Sequence, residues 1–150
     1  MCVCVCVWCC YRYIYTHYYH YHHCHYYSYH HNYSQATITN TLIFVSGCIA
    51  LDPTLPPPQT LVTGGIEIQT KQALENLKNI ILDSGGSLNN VCKTTILLRD
   101  ILDYKIVNEI YQDWWSSNGV PNTHTPARVA FSVAGIPANA LIEIDAIVAV

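Results

Sequence analysis

The chain has 150 residues, a formal net charge of −3 and only 11% charged side chains. This length suits one domain with a packed core. The composition excludes the basic surface that nucleic-acid binding needs, and no apolar run is long enough to cross a bilayer.

Residues 1–31 differ in composition from the rest of the chain. They hold six of the eight cysteines, seven of the eight histidines and nine of the twelve tyrosines, but only one charged side chain, Arg12. A Cys-Val repeat followed by a Tyr/His tract lacks the aliphatic variety of a packed core. We predict that residues 1–31 lie outside the fold, as a disordered segment or a gene-model artefact, and that residues 32–150 form the domain. Peptide mass spectrometry of the native protein tests this division.

The sequence disfavours three functional interpretations of this first segment. Cys6 and Cys9 have the C-x2-C spacing and His22 follows after twelve residues, but positions 26–28 hold no second histidine for a zinc finger. The basic start and the cleavage site of a secretory signal are missing. A disulfide framework is disfavoured because the rest of the chain has only Cys48 and Cys92. We therefore expect no metal site.

The first half of the predicted domain contains a hairpin and a helix. Residues 33–51 alternate as two strands that turn at Thr39-Asn40, and residues 52–60 are a proline-rich loop. A helix begins near Ile66 and ends at Gly85-Gly86. Its inward face is predicted to hold Ile66, Ala73, Leu74, Leu77, Ile80 and Ile81.

The second half begins with a strand over residues 91–100 and a second helix after Asp103, a candidate N-cap. A loop over residues 116–125 leads to two strands that are predicted to form a hairpin around the turn at residues 135–139. The order β-β-α-β-α-β-β predicts an α+β fold, in which one sheet carries two helices on a single face.

The two final strands carry the charges that we consider candidates for chemistry. Ile142, Ile144, Ala146 and Val148 form an apolar row, with Glu143 and Asp145 opposite. We predict that Arg128, Glu143 and Asp145 lie on neighbouring strands, on the sheet face that the helices leave uncovered. A mixed, partly apolar face of this kind is usually buried against copies of the chain, which predicts a homo-oligomer with sites between its subunits.

Several segments carry a resemblance to a known family. These are YSQA (33–36), VSGCIALDP (45–53), residues 70–104, VNEIY (107–111), PARVAF (126–131) and IEIDAIVAV (142–150). Together they resemble the RidA family of reactive-intermediate imine deaminases from about residue 33 to the C-terminus. The resemblance implies a chorismate-mutase-like fold and a homotrimer with a central barrel and clefts between subunits. It also implies hydrolysis of 2-iminobutanoate and 2-iminopropanoate, which leak from pyridoxal-phosphate enzymes, to 2-oxo acids and ammonia, without a cofactor.

The resemblance also implies roles for particular residues. Arg128 would anchor the substrate carboxylate, Glu143 would position or activate water, and Tyr33 would complete the catalytic set. Asp145 stands at the second acid of the family's I-E-I-E motif. The implied substrate-binding residues are Arg128, Ser46, Gly47, Asn108 and Ala130, the last through its backbone.

The sequence departs from the family pattern at two places. His31-Asn32 replaces a Gly-Pro before Tyr33, which puts the placement of that tyrosine in question. Cys48 replaces a glutamine after Ser46-Gly47, at a position that we expect to be structural.

Alternatives remain for each of these residues. From the pattern alone, Arg128 and Glu143 could form an interface salt bridge. Tyr33 could be a core or edge aromatic, Asn108 a helix-surface amide, and Ser46-Gly47 a bulge. The alternative functions are a non-catalytic member that binds a small carboxylate or a protein, and an RNA-directed translation inhibitor or endoribonuclease. We expect a small-molecule partner and neither membrane nor nucleic acid. Cys48 and Cys92 as buried reduced thiols favour the cytoplasm, with mitochondria as the alternative.

Overall fold

The computed structural model describes residues 3–5, 33–55 and 60–150, and of residues 3–5 only the backbone. Its main elements follow the predicted order from residue 33 onward, with one additional strand before them. The strands are β1 (Val3–Val5), β2 (Ala36–Ile38), β3 (Leu42–Cys48), β4 (Val91–Leu98), β5 (Ala127–Ser132) and β6 (Ile142–Ala149), and the helices are α1 (Ile66–Asp83) and α2 (Tyr104–Ser117). The α+β prediction is confirmed.

Strand β1 belongs to the segment that was expected to lie outside the fold. Its residues Val3–Val5 pair antiparallel with β2 at one edge of the sheet. Residues 6–32 and residues 56–59 of the proline-rich loop lie outside the described residues. The first of these ranges includes the candidate zinc ligands Cys6, Cys9 and His22, and also His31 and Asn32. The division at residue 31 therefore stays a prediction.

The strand order β1-β2-β3-β6-β4-β5 corrects one prediction. The last two strands form no hairpin, because β6 lies between β3 and β4 and pairs antiparallel with both. Strand β5 instead pairs parallel with β4, to which α2 connects it as a crossover helix. The physical reason lies in β6: a strand whose alternate residues are all completely buried needs a central position, and a terminal hairpin would have left it near the edge.

Helix α1 begins and ends where the sequence predicts. Gly85 follows the helix with φ +80°, a conformation that glycine adopts without strain, and the Gly86 N–H bonds the Ile81 carbonyl at 2.9 Å. Most of the predicted inward residues are buried, and Ile66 is partly so. Helix α2 starts after Asp103 as expected, although the Asp103 side chain makes no capping hydrogen bond.

Both helices pack on one face of the sheet. Burial alternates along β6, where Ile142, Ile144, Ala146 and Val148 are at most 1% exposed and contribute to the core with both helices. No described element covers the opposite face, where 43% of Phe44, 42% of Val129 and 45% of Phe131 are exposed. Within the described ranges, no helix is long and apolar enough to span a membrane.

Candidate active site

The guanidinium of Arg128 is held by side chains of α2. Its Nη2 donates to Asn108 Oδ1 at 2.8 Å and to the Tyr104 hydroxyl at 3.2 Å. Its Cζ lies 4.9 Å from the centre of the Tyr111 ring, a cation–π distance. Since both hydrogen bonds use Nη2, the Nε and Nη1 hydrogens have no acceptor among the hydrogen bonds of the described part of the chain. A planar guanidinium held in this way is prepared for a carboxylate.

Tyr111 supports this arrangement from the core. Its hydroxyl lies 2.7 Å from the hydroxyl of Thr94, whose side chain is completely buried on β4. Burial raises the pKa of Tyr111, so the phenol stays neutral below Arg128. The face of a neutral ring attracts a cation without cancelling its charge, and Arg128 keeps its positive charge for a ligand.

The backbone groups of Ala130, two residues after Arg128, point away from β4. The Val133 N–H bonds the Leu98 carbonyl, so β5 directs the backbone groups of every second residue toward β4. The N–H and carbonyl of Ala130 then point to the free edge of the sheet, beyond β5. The role of Ala130 in substrate binding through its backbone stays a prediction.

A second group of candidate residues lies around Glu143. Its carboxyl is partly buried on β6, and burial, followed by the charge of Asp145, raises its pKa above the ordinary range. Asp145 is held by the backbone N–H of Thr95, which donates to its Oδ1 at 3.1 Å. A Cβ added at Gly47 would overlap the Glu143 carboxylate, so only glycine leaves room for this acid.

Ser46 links this second group to the segment that carries Tyr33. Its hydroxyl donates to the Ser34 carbonyl at 2.7 Å, and its N–H bonds the Gln35 carbonyl at 2.9 Å. Tyr33 stands just before this anchor and exposes 63% of its surface. The hydroxyl proton of Ser46 is thus already used within the chain, which leaves this oxygen only its acceptor capacity for a ligand.

The structure separates the two groups, and this corrects the predicted arrangement. Arg128 contacts α2 and therefore lies on the helix-covered side of the sheet, whereas Glu143 lies on the uncovered side with Asp145. Strand β4 separates β5 from β6, which puts their backbones about 9–10 Å apart. The two side chains are not on neighbouring strands and do not share a face. No salt bridge joins them among the described residues, where the only one is Lys78–Glu75.

The two described cysteines differ from each other. Cys48 is a buried free thiol, and burial together with the charges of Glu143 and Asp145 raises its pKa to about 12. Cys92 is exposed, which corrects the expectation that both thiols are buried. In the part of the chain that the structure describes, no group of His, Cys, Asp or Glu residues could hold a metal ion.

Sequence reasoning assigned no functional role to Tyr104 or Tyr111. Their spacing was the available signal: Tyr104, Asn108 and Tyr111 follow at intervals of four and three residues and therefore share one helix face. That face meets β5 at Arg128.

Comparisons with known proteins identify the family. The model of the family described as Endoribonuclease L-PSP matches residues 26–150. The human protein named 2-iminobutanoate/2-iminopropanoate deaminase is 43% identical over 115 residues, which cover 77% of each chain.

Solved structures agree with this match. A protein of known crystal structure from Entamoeba histolytica aligns at a TM-score of 0.71 and 37% identity, over 80% of this chain and 89% of its own. TdcF of Escherichia coli, solved with bound serine, aligns at 0.71 and 26% identity, over 79% and 87%. The chain belongs to the Endoribonuclease L-PSP family, which is the RidA family that its motifs resemble.

Proposed function

We propose that this protein hydrolyses 2-iminobutanoate and 2-iminopropanoate to the corresponding 2-oxo acids and ammonia. The observation that carries the proposal is the guanidinium of Arg128, oriented by Asn108 with its Nε and Nη1 hydrogens directed to no acceptor in the described chain. Mammalian relatives at 42–44% identity carry the name of this activity. Hydrolysis of these imines protects pyridoxal-phosphate enzymes from their own reactive intermediates.

Arg128 positions the substrate. A 2-imino acid carries a carboxylate next to its electrophilic carbon, and Arg128 can hold that carboxylate by charge-assisted hydrogen bonds from its Nε or Nη1 hydrogens. The imine carbon is then held at a defined place, which converts the attack of water into a positioned event. Serine, which is bound in the structure of the TdcF relative, also carries its carboxylate on the carbon that bears nitrogen.

Glu143 moves the proton. Water adds to the protonated imine carbon and gives one proton to the Glu143 carboxylate, which forms a carbinolamine. The acid then returns this proton to the nitrogen and the C–N bond breaks. The regenerated Glu143 carboxylate takes the remaining hydroxyl proton and passes it to the departing ammonia, which leaves as ammonium. Burial and the charge of Asp145 raise the pKa of Glu143, which makes its carboxylate a stronger acceptor for the proton of the attacking water.

The two groups require a second copy of the chain. Since Arg128 and Glu143 lie on opposite faces of one sheet, no single substrate contacts both within one subunit. In the proposed homotrimer the uncovered faces form a central barrel. Each site then combines the Arg128 group of one subunit with the Glu143 group of the next. The first group is Arg128, Asn108 and Ala130, and the second is Glu143, Gly47, Ser46 and Tyr33. The exposed Phe44, Val129 and Phe131 supply apolar surface that such an assembly buries. For this trimer we propose the cytoplasm, with mitochondria as the alternative.

A coupled assay tests this function. An amino-acid dehydratase or oxidase generates the imine in the presence of a scavenging amine, and release of the 2-oxo acid is followed with and without this protein. We expect faster release with the parent protein and none of this gain with Arg128→Ala. Arg99→Ala is the matched control, because Arg99 is exposed and, among the described residues, its side chain hydrogen-bonds only the Asn139 carbonyl. An Arg128→Ala protein as active as the parent contradicts the proposal. A Glu143→Gln protein that binds 2-oxobutanoate without turnover separates the enzyme from a mere carboxylate binder.

A further inference from the structure

Tyr104 places a hydroxyl beside the guanidinium of Arg128. It is the first residue of α2 and remains 41% exposed. Its oxygen lies 3.2 Å from Nη2 of Arg128, and its ring centre is 5.9 Å from Cζ. The Tyr104 side chain is therefore the solvent-accessible tyrosine of this cluster, whereas Tyr111 is buried.

The direction of the Tyr104 proton follows from its partner. An arginine has five N–H donors and no acceptor, so in the contact with Nη2 the tyrosine oxygen must accept. Its own proton is consequently free to point away from Arg128. An acceptor bound at the guanidinium, such as a carboxylate oxygen, would meet this proton and the Arg128 hydrogens from the same side.

Tyr111, the second tyrosine next to Arg128, differs from Tyr104 in the position of its hydroxyl. Its ring lies closer to the guanidinium, at 4.9 Å, but its hydroxyl is engaged with Thr94 inside the core. Tyr111 is only 5% exposed. Of the two described aromatic rings next to Arg128, only that of Tyr104 has a hydroxyl that is not engaged inside the core.

We propose that Tyr104 is a carboxylate-binding residue, whose hydroxyl is oriented by Arg128 and donates a hydrogen bond to the carboxylate that Arg128 holds. The proposal rests on the proposed function for the class of ligand, a 2-imino or 2-oxo acid. The Tyr104 hydroxyl would be a second hydrogen-bond donor in an anion site whose first donor is Arg128, oriented by Asn108. A neutral phenol donating to a carboxylate forms a charge-assisted bond, stronger than a bond between neutral groups.

Equilibrium binding of 2-oxobutanoate tests this role without any turnover. Isothermal titration calorimetry compares the parent protein with Tyr104→Phe, which keeps the ring and removes only the hydroxyl. We expect a dissociation constant about tenfold higher for Tyr104→Phe, the size of one hydrogen bond to a charged group at a partly exposed site. Arg128→Ala should abolish measurable binding. Ser117→Ala is the matched control, because it removes an exposed hydroxyl at the far end of the same helix.

Steady-state kinetics give a second readout. Because the bond forms to a carboxylate that is present in substrate and transition state alike, Tyr104→Phe should raise KM about tenfold and leave kcat within about twofold. A purely structural role of the ring predicts no change on Tyr104→Phe, since phenylalanine packs in the same way.

The outcomes separate this inference from the proposed function. An unchanged or lower dissociation constant for Tyr104→Phe overturns the role of Tyr104, and so does a parent protein that fails to bind 2-oxobutanoate. A parent protein that binds 2-oxobutanoate, loses affinity on Tyr104→Phe, and yet does not accelerate imine hydrolysis supports the anion site and refutes the deaminase.

Discussion

Gly47 leaves the space that the carboxylate of Glu143 occupies. A side chain at this position of β3 would overlap the acid on the facing strand β6, although the backbone of Gly47 needs no left-handed conformation. Glycine is thus required here for close approach and not for a turn. This contact ties the Ser46-Gly47 pair, which the sequence singled out, to the acid that we propose as the proton carrier.

Gly47→Ala should therefore impair chemistry more than folding. The added methyl group displaces the Glu143 carboxylate from its position, and loss of a positioned general base typically costs about 10²-fold or more in rate. We expect kcat to fall by about this factor while the circular dichroism spectrum stays that of the parent. Gly65→Ala is the control, because a Cβ at Gly65 meets no atom within 4 Å. Equal kcat values for the two variants would separate Gly47 from the function of Glu143.

The pH dependence of kcat/KM should respond to Asp145. Glu143 has to be ionised to accept a proton from water, so activity falls as the pH drops through its raised pKa. The charge of Asp145 contributes to this rise, after burial. Asp145→Asn removes the charge and can keep the acceptor for the Thr95 N–H. We expect the acidic limb of the profile to move to lower pH, and a limb that stays in place or moves upward would be inconsistent with this coupling.

Glu143 should also lower stability at neutral pH. Its pKa is raised in the folded state, so the folded protein binds this proton more tightly than the unfolded chain. This stabilisation is fully present below the pKa that Glu143 has in the unfolded chain. It is lost as the pH rises through the higher pKa of Glu143 in the folded protein. Glu143→Gln should consequently gain stability relative to the parent at pH 7.5 and lose this advantage at pH 4. Urea unfolding at one fixed protein concentration measures the difference, and a constant offset at both pH values would argue against it.

The two described cysteines should react at very different rates. A buried thiol with a pKa of about 12 has almost no thiolate at pH 8, whereas Cys92 is exposed. We expect iodoacetamide to label Cys92 within minutes and Cys48 only after denaturation, as read from the separate peptides by mass spectrometry. Rapid labelling of Cys48 in the folded protein would show that its side chain is not buried as described.

Local pattern alone was sufficient for most of the elements. The periodicity of residues 66–83 predicted α1 with its glycine end, and the alternation along residues 142–149 predicted a strand with one buried face. These features depend on neighbours in the chain, where a period of 3.6 or 2 residues reports which side is buried. Motifs such as PARVAF and IEIDAIVAV were enough to indicate the family.

What only the tertiary structure decided is which residues meet. The chain places Arg128 and Glu143 in consecutive strands, and nothing local to them indicates that β6 inserts between β3 and β4 while β5 pairs with β4. Strand order depends on burial over the whole sheet and on the crossover through α2. Once that order is set, Arg128 faces α2 with Tyr104 and Asn108, and Glu143 faces the uncovered side with Gly47. The sequence thus determined the candidate residues, and the packing of distant strands decided that they form two separate halves of a site.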